Sequence, residues 1–162
     1  RSVRIRLAAV SCAALLLTPV PAFALVCGTL LDPMTVSASG LNFGTYMPAN
    51  PVAARANATI TISCGLGLDL LPGFTVGLSA GGAGAYFPRT MTLGASRLSY
   101  NLYADPALLS VWGDDTAGSI TQIVTEPVLF GNLAFTAYGR VPPGQFVTPG
   151  VYSDTIIVTV TY

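Results

Sequence analysis

An all-β sandwich is the fold class the sequence predicts. Three observations carry the prediction. Period-2 alternation of apolar and polar residues recurs along the chain, the i, i+3, i+4 pattern of an amphipathic helix does not, and the alternating runs are separated by turn residues from a supply of 17 Gly and 12 Pro. Alternation places successive side chains on opposite faces of a half-buried sheet, and Gly and Pro supply the turns between short strands.

In chain order, the first strand with a clear parity is Asn57-Ala58-Thr59-Ile60-Thr61-Ile62-Ser63-Cys64, with Ala58, Ile60, Ile62 and Cys64 facing the core. Phe74, Val76 and Leu78 form a second inward row, opposite Thr75, Gly77 and Ser79. Leu98 to Tyr103 is a third strand. Val128 to Tyr138 reads as one long fourth strand with Leu129, Leu133 and Phe135 on one face. The last, Tyr152 to Tyr162, is the clearest: Ile156, Val158, Val160 and Tyr162 line one face, Thr155, Thr159 and Thr161 the other, and Ile157 breaks the pattern. Turn signals lie between these runs at Pro48-Ala49-Asn50-Pro51, Gly65-Leu66-Gly67, Pro72-Gly73, Gly81 to Gly84 and Pro142-Pro143-Gly144. Gly81 to Gly84 reads as a hairpin connection rather than a phosphate loop, because neither a helix pattern nor a Lys follows it.

The first 24 residues read as a secretory signal peptide. Arg1, Arg4 and Arg6 form a positive n-region, Leu7 to Val20 an uncharged and mostly apolar stretch, and Ala22-Phe23-Ala24 an A-x-A cleavage site. A membrane anchor is the other reading, but the apolar run is short for a span of roughly 20 residues. The expected organisation is therefore a signal peptide over 1–24 and one domain over 25–162, large enough for its own core.

Residues 25–162 keep four Arg, no Lys and seven carboxylates, a formal charge of −3. A chain of this composition has no basic tract for nucleic acid or anionic lipid. It keeps two cysteines, Cys27 and Cys64. In an oxidising compartment an even pair reads as one disulfide, closing a loop of about 38 residues worth roughly 2–4 kcal/mol. Two buried free thiols are the alternative.

Catalysis and metal binding find little support. His is absent from the whole sequence, which removes the usual general base near neutral pH and the commonest zinc ligand. Without Lys there is no Schiff base, P-loop or Ser-Lys pair. Asp114-Asp115 is the one adjacent carboxylate pair, and it sits in the turn-rich stretch Gly113 to Gly118, where a solvated loop is the simpler reading than a glycosidase pair or a calcium loop. Asn57-Ala58-Thr59 is formally a glycosylation sequon inside a strand pattern. No cofactor or metal is expected.

An ordered set of segments carries a family resemblance. It comprises Cys27, Val36 to Tyr46, Ile60 to Cys64, Arg89-Thr90-Met91, Leu98 to Asp105, Val111-Trp112-Gly113-Asp114, Tyr138-Gly139-Arg140, and Pro149 to Thr155 running to a terminal Val-Thr-Tyr. In this order they resemble the spore coat protein U domain, the subunit family of archaic chaperone–usher pili. The resemblance implies an incomplete immunoglobulin-like sandwich lacking its last strand, and hence an apolar strand-acceptor groove, with Ile156, Val158, Val160 and Tyr162 as candidate lining residues. It implies as partners a periplasmic pilus chaperone, an outer-membrane usher and other pilus subunits by donor-strand complementation, and it implies export to the periplasm and then the cell surface. Two residues, Leu25 and Val26, lie between the expected cleavage site and Cys27. A donor strand of about ten residues spans about 33 Å, so the mature chain reads as an acceptor without a donor, which suits a tip or capping position better than a repeating shaft position, at the tip in adhesion and biofilm formation. A stand-alone secreted coat protein and a small all-β carbohydrate-binding module are the alternative functions.

Overall fold

Inward-facing rows of β-branched and aromatic residues build ten strands. In the computed structural model, which describes residues 34–64, 69–71, 73–125, 128–130 and 132–162, they are β1 (Met34–Ala38), β2 (Ala54–Cys64), β3 (Asp69–Leu71), β4 (Phe74–Leu78), β5 (Arg89–Leu93), β6 (Ser96–Tyr103), β7 (Gln122–Val124), β8 (Val128–Phe130), β9 (Asn132–Val141) and β10 (Val158–Thr161). There is no helix among the described residues. The strands form a five-stranded sheet in the order β1-β2-β9-β6-β5, a three-stranded sheet β10-β4-β7 and a two-stranded ribbon β3-β8. Every ladder between named strands is antiparallel.

The inward rows predicted for β2 and β4 are buried, and a row on β6 joins them. Ala58, Ile60 and Ile62 on β2, Phe74, Val76 and Leu78 on β4, and Leu98, Tyr100 and Leu102 on β6 are all buried in one cluster. The two larger sheets therefore share a single core. Trp112, fully buried, ties them together. Its indole N–H donates to the Val76 carbonyl on β4 at 2.8 Å, and its ring meets Phe135 of β9 edge-on at 6.3 Å. Phe135 in turn meets Phe74 of β4 at 6.2 Å. Such edge-to-face pairs add to the area they bury.

Three expectations need correction. The run from Val128 to Tyr138 is not one strand: Val128–Phe130 pairs with β3, and Asn132 onward pairs with β2. Gly81 to Gly84 is not a hairpin turn, since β4 and β5 belong to different sheets and the turn carries the chain from one to the other. The C-terminal run Tyr152 to Tyr162 is not a single strand either. Ser153 bridges Thr92 of β5, the Ile157 carbonyl accepts from the Ser79 N–H at 2.9 Å, and only Val158–Thr161 forms a ladder with β4. Alternation in sequence reports which side chains turn inward; it does not report which sheet the main chain pairs with, and here the segment changes sheet.

The signal segment 1–24 and Cys27 lie outside the described residues, and of Cys64 the main chain alone is described, so the expected disulfide lies outside them as well.

Candidate functional site

The change of sheet at the C-terminus opens a cleft. One wall is the segment that follows β1, and the other is the segment that leads into β10. Its inner part is a cavity of about 330 Å³ between Ala38–Leu41 on one side and Asp154, Thr155, Ile156 and Val158 on the other. Its outer part, about 540 Å³, lies between Asn42–Tyr46 and Val147–Tyr152. Met91 of β5 lines both parts, so they are neighbours.

The floor is built from facing small residues. Ala58 of β2 and Ala137 of β9 are register partners, and both line the inner cavity with Tyr100 and Leu102 of β6. An Ala–Ala pair where the same rows elsewhere carry Ile60 and Phe135 leaves the depth unfilled. Gly139 belongs to the same arrangement: a Cβ there would sit 2.8 Å from the Phe43 ring and 2.9 Å from Leu41, so the absence of a side chain lets the N-terminal wall lie close against β9. Phe43 then meets Tyr100 edge-on at 6.0 Å.

Both walls present main chain with free pairing capacity. On the N-terminal side the last main-chain bond runs from the Ser39 N–H to the Thr59 carbonyl at 2.9 Å. Beyond it, residues 40–46 make no bond to other main chain among the described residues. On the C-terminal side β10 pairs with β4 and has no second neighbour among the described strands. An edge with unused N–H and C=O groups is a template for another strand.

Hydrogen bonds hold the walls in place. The Tyr46 hydroxyl donates to the Pro142 carbonyl at 2.9 Å and accepts from the Gln145 N–H at 2.9 Å. The Gln145 side-chain amide bonds both the N–H and the carbonyl of Ser99 on β6, at 2.8 and 2.9 Å, as a strand partner would. Asp154 pins the other wall. Its carboxylate accepts from the Tyr100 hydroxyl at 2.7 Å and from the Gly82 N–H at 2.8 Å. Burial, and then this bond to Asp154, hold the Tyr100 hydroxyl well above its ordinary pKa. Gly81, at φ 76°, has no room for a Cβ against the same carboxylate.

Behind the Asp154 wall lies a buried cation. Arg89 is fully buried. Its guanidinium donates to the Ser79 carbonyl at 2.9 and 3.0 Å, to the Trp112 carbonyl at 2.7 Å and to the Asn101 Oδ1 at 2.9 Å. It also packs on the Tyr86 ring, 4.8 Å from the centroid. Desolvation lowers its pKa from the ordinary arginine value. Ser79 passes the restraint on, because its N–H and Oγ bond the Ile157 carbonyl and N–H.

Of the candidate lining residues, Ile156 and Val158 line the inner cavity. Val160 packs against the core opposite Val76, and Tyr162 is 63% exposed, one residue past the ladder. Sequence reasoning missed the opposite wall beyond Ala38 and the Ala58–Ala137 floor; small residues at inward positions of apolar rows are the signal for the floor. Among the described residues, Asp154 is the one charged side chain lining the cleft. Asp114 and Asp115 are elsewhere, both exposed, accepting from Thr116 and Thr121 within their own turn.

Comparison with known proteins follows the same fold. The Spore Coat Protein U domain model matches residues 25–159. Protein U of Myxococcus xanthus is 33% identical over 134 residues, covering 75% of this chain and 71% of that protein. A solved chain from the CsuC-CsuE chaperone–tip adhesion subunit pre-assembly complex of the archaic chaperone-usher Csu pili of Acinetobacter baumannii superposes with a TM-score of 0.55 at 20% identity. It covers 83% of this chain, which spans 40% of that one. By extent of match and identity, the chain belongs to the Spore Coat Protein U domain family.

Proposed function

We propose that this protein is a structural subunit of an archaic chaperone–usher surface pilus and that its cleft is a strand-acceptor groove. The cleft carries the reading: an apolar trough flanked by two main-chain edges whose pairing capacity is unused among the described residues. A segment of about ten residues, near the length of the wall from Ala38 to Pro48, would hydrogen-bond along the edges and sink alternate side chains into the trough. The fold is then an immunoglobulin-like sandwich whose missing strand comes from a partner. That partner is first a periplasmic chaperone and then, at an outer-membrane usher, a neighbouring subunit. The likeness to a chaperone–tip subunit complex supports both the partners and a tip position in adhesion. Export by the signal peptide over 1–24 and a Cys27–Cys64 disulfide belong to the same reading. No catalytic step is assigned.

Co-expression with the chaperone of its own pilus system tests this. The chain is expected to co-purify with the chaperone, and a peptide from a sibling subunit's donor segment is expected to raise the Tm by binding the folded state alone. Val158→Asp places an unpaired charge in the groove wall and should abolish capture. A chain that stays stable and monomeric with no chaperone, and whose Tm no donor peptide moves, would refute the reading.

A further inference from the structure

The outer face of the five-stranded sheet holds a cluster that the groove does not use. Residues 25–162 contain four cationic side chains, Arg55, Arg89, Arg97 and Arg140. Arg89 is buried in the network described above. Of the remaining three, two stand directly opposite one another: Arg55 on β2 is the register partner of Arg140 on β9. The pairs on either side of them, Ala54 with Val141 and Ala56 with Gly139, fall on the inner parity, so both arginines project from the face away from the groove. Like charges directly opposite destabilise a sheet. A chain with so few cations has no compositional need to place two of them together.

Nothing in the described structure compensates the pair. Neither guanidinium has an ion-pair or hydrogen-bond partner among the described residues, and the Nε of Arg140 is buried without a partner. The next row on the same face is Asn57, Tyr138 and Tyr103, again direct register partners across β2, β9 and β6. Asn57 is exposed and the two tyrosines half-buried. Adjacent strands lie about 4.8 Å apart, so the rows form a rigid platform about 10 Å wide. At one end sit two planar forks that match a carboxylate or sulfate bidentately. At the other lie two aromatic rings and an amide.

We propose that this platform binds an acidic polysaccharide, the arginines holding a carboxylate or sulfate and the tyrosines packing against the apolar C–H face of a sugar ring. The anion would sit between the two guanidiniums and relieve their repulsion. The overall charge of −3 on residues 25–162 and the absence of a basic tract disfavour a polyanion as dense as nucleic acid. This site stands apart from the groove and does not rest on the pilus reading.

The test is titration of the purified full chain with polygalacturonate, dextran sulfate and neutral dextran, followed by calorimetry. Binding is expected for one or both acidic polymers and not for dextran, with the preferred polymer identifying the anion. The double variant Arg55→Gln, Arg140→Gln should weaken that binding about tenfold or more, as loss of charge-assisted hydrogen bonds does. Its Tm should be unchanged or higher, since a like-charge pair is removed. Arg97→Gln, which removes an exposed charge on the same face but four residues along β6 from Asn101, the register partner of Arg140, should weaken binding far less. The proposal is overturned if neither acidic polymer binds, if the double variant binds as well as the parent, or if Arg97→Gln weakens binding equally.

Discussion

Replacing Arg89 by Met decides whether the buried cation holds the C-terminal wall or merely occupies it. Met approximates the length and apolar stem of Arg but supplies no donor. Three acceptors lose the guanidinium. Asn101 Oδ1 keeps another donor, the Leu102 N–H at 3.0 Å. The carbonyls of Ser79 and Trp112 keep no other partner among the described hydrogen bonds. Orphaning a buried acceptor costs about 1–3 kcal/mol, so two give about 2–6 kcal/mol. An opposing term exists, because removing a buried charge also removes its desolvation penalty, and apolar replacement of whole buried ion pairs is often neutral or stabilising. Here the acceptors stay behind, so the first term should win and leave a net loss of about 2–4 kcal/mol. Urea denaturation at neutral pH, with m unchanged, measures it. Faster amide exchange at Ile157 should accompany the loss, since Ile157 is held through Ser79. Arg89→Lys should recover a part only, because one ammonium cannot serve three acceptors in the planar fork geometry. A Met variant within about 0.5 kcal/mol of the parent, or more stable than it, would refute the reasoning.

Gly139→Val should lower the Tm and shift the N-terminal wall, since even its Cβ meets Phe43 and Leu41 below 3 Å; overpacking of this kind costs about 1–3 kcal/mol, and loss of the aromatic contact shifts of Phe43 by NMR would locate the effect. The carboxylate of Asp105, accepting from the Ser110 and Leu109 N–H groups, and that of Asp114, accepting from Thr116, are both held below the ordinary value of 3.8. A depressed folded pKa contributes stability above the unfolded pKa and loses it as the pH falls through the folded value. The Tm should therefore decline below about pH 4, and Asp105→Asn should flatten that decline. Non-reducing mass spectrometry should find no free thiol at Cys27 and Cys64 in the exported protein, and substitution of either Cys should cost about 2–5 kcal/mol.

The all-β class and the buried rows were legible in the sequence, because burial parity is a local property. Ile60, Ile62, Phe74 and Val76 turn inward wherever their strands end up, and two-residue alternation reports this before any partner is known. The solvated reading of Asp114 and Asp115 was legible for the same reason, as their partners lie within six residues. What the tertiary structure decided is everything that depends on which segments, distant in sequence, become neighbours. The C-terminal run looks like one strand, yet it bridges β5 at Ser153 and joins β4 from Val158. That change of sheet leaves the walls apart and makes the cleft. Arg89 opens a polar-looking motif in the sequence and becomes a fully buried charge because carbonyls from Ser79 and Trp112 converge on it. Arg55 and Arg140 are 85 residues apart in the chain and face each other solely through the β2–β9 register. Local sterics and hydrophobicity act on each residue alone, whereas pairing register is a cooperative choice of the whole chain, and the groove and the arginine platform are both products of register.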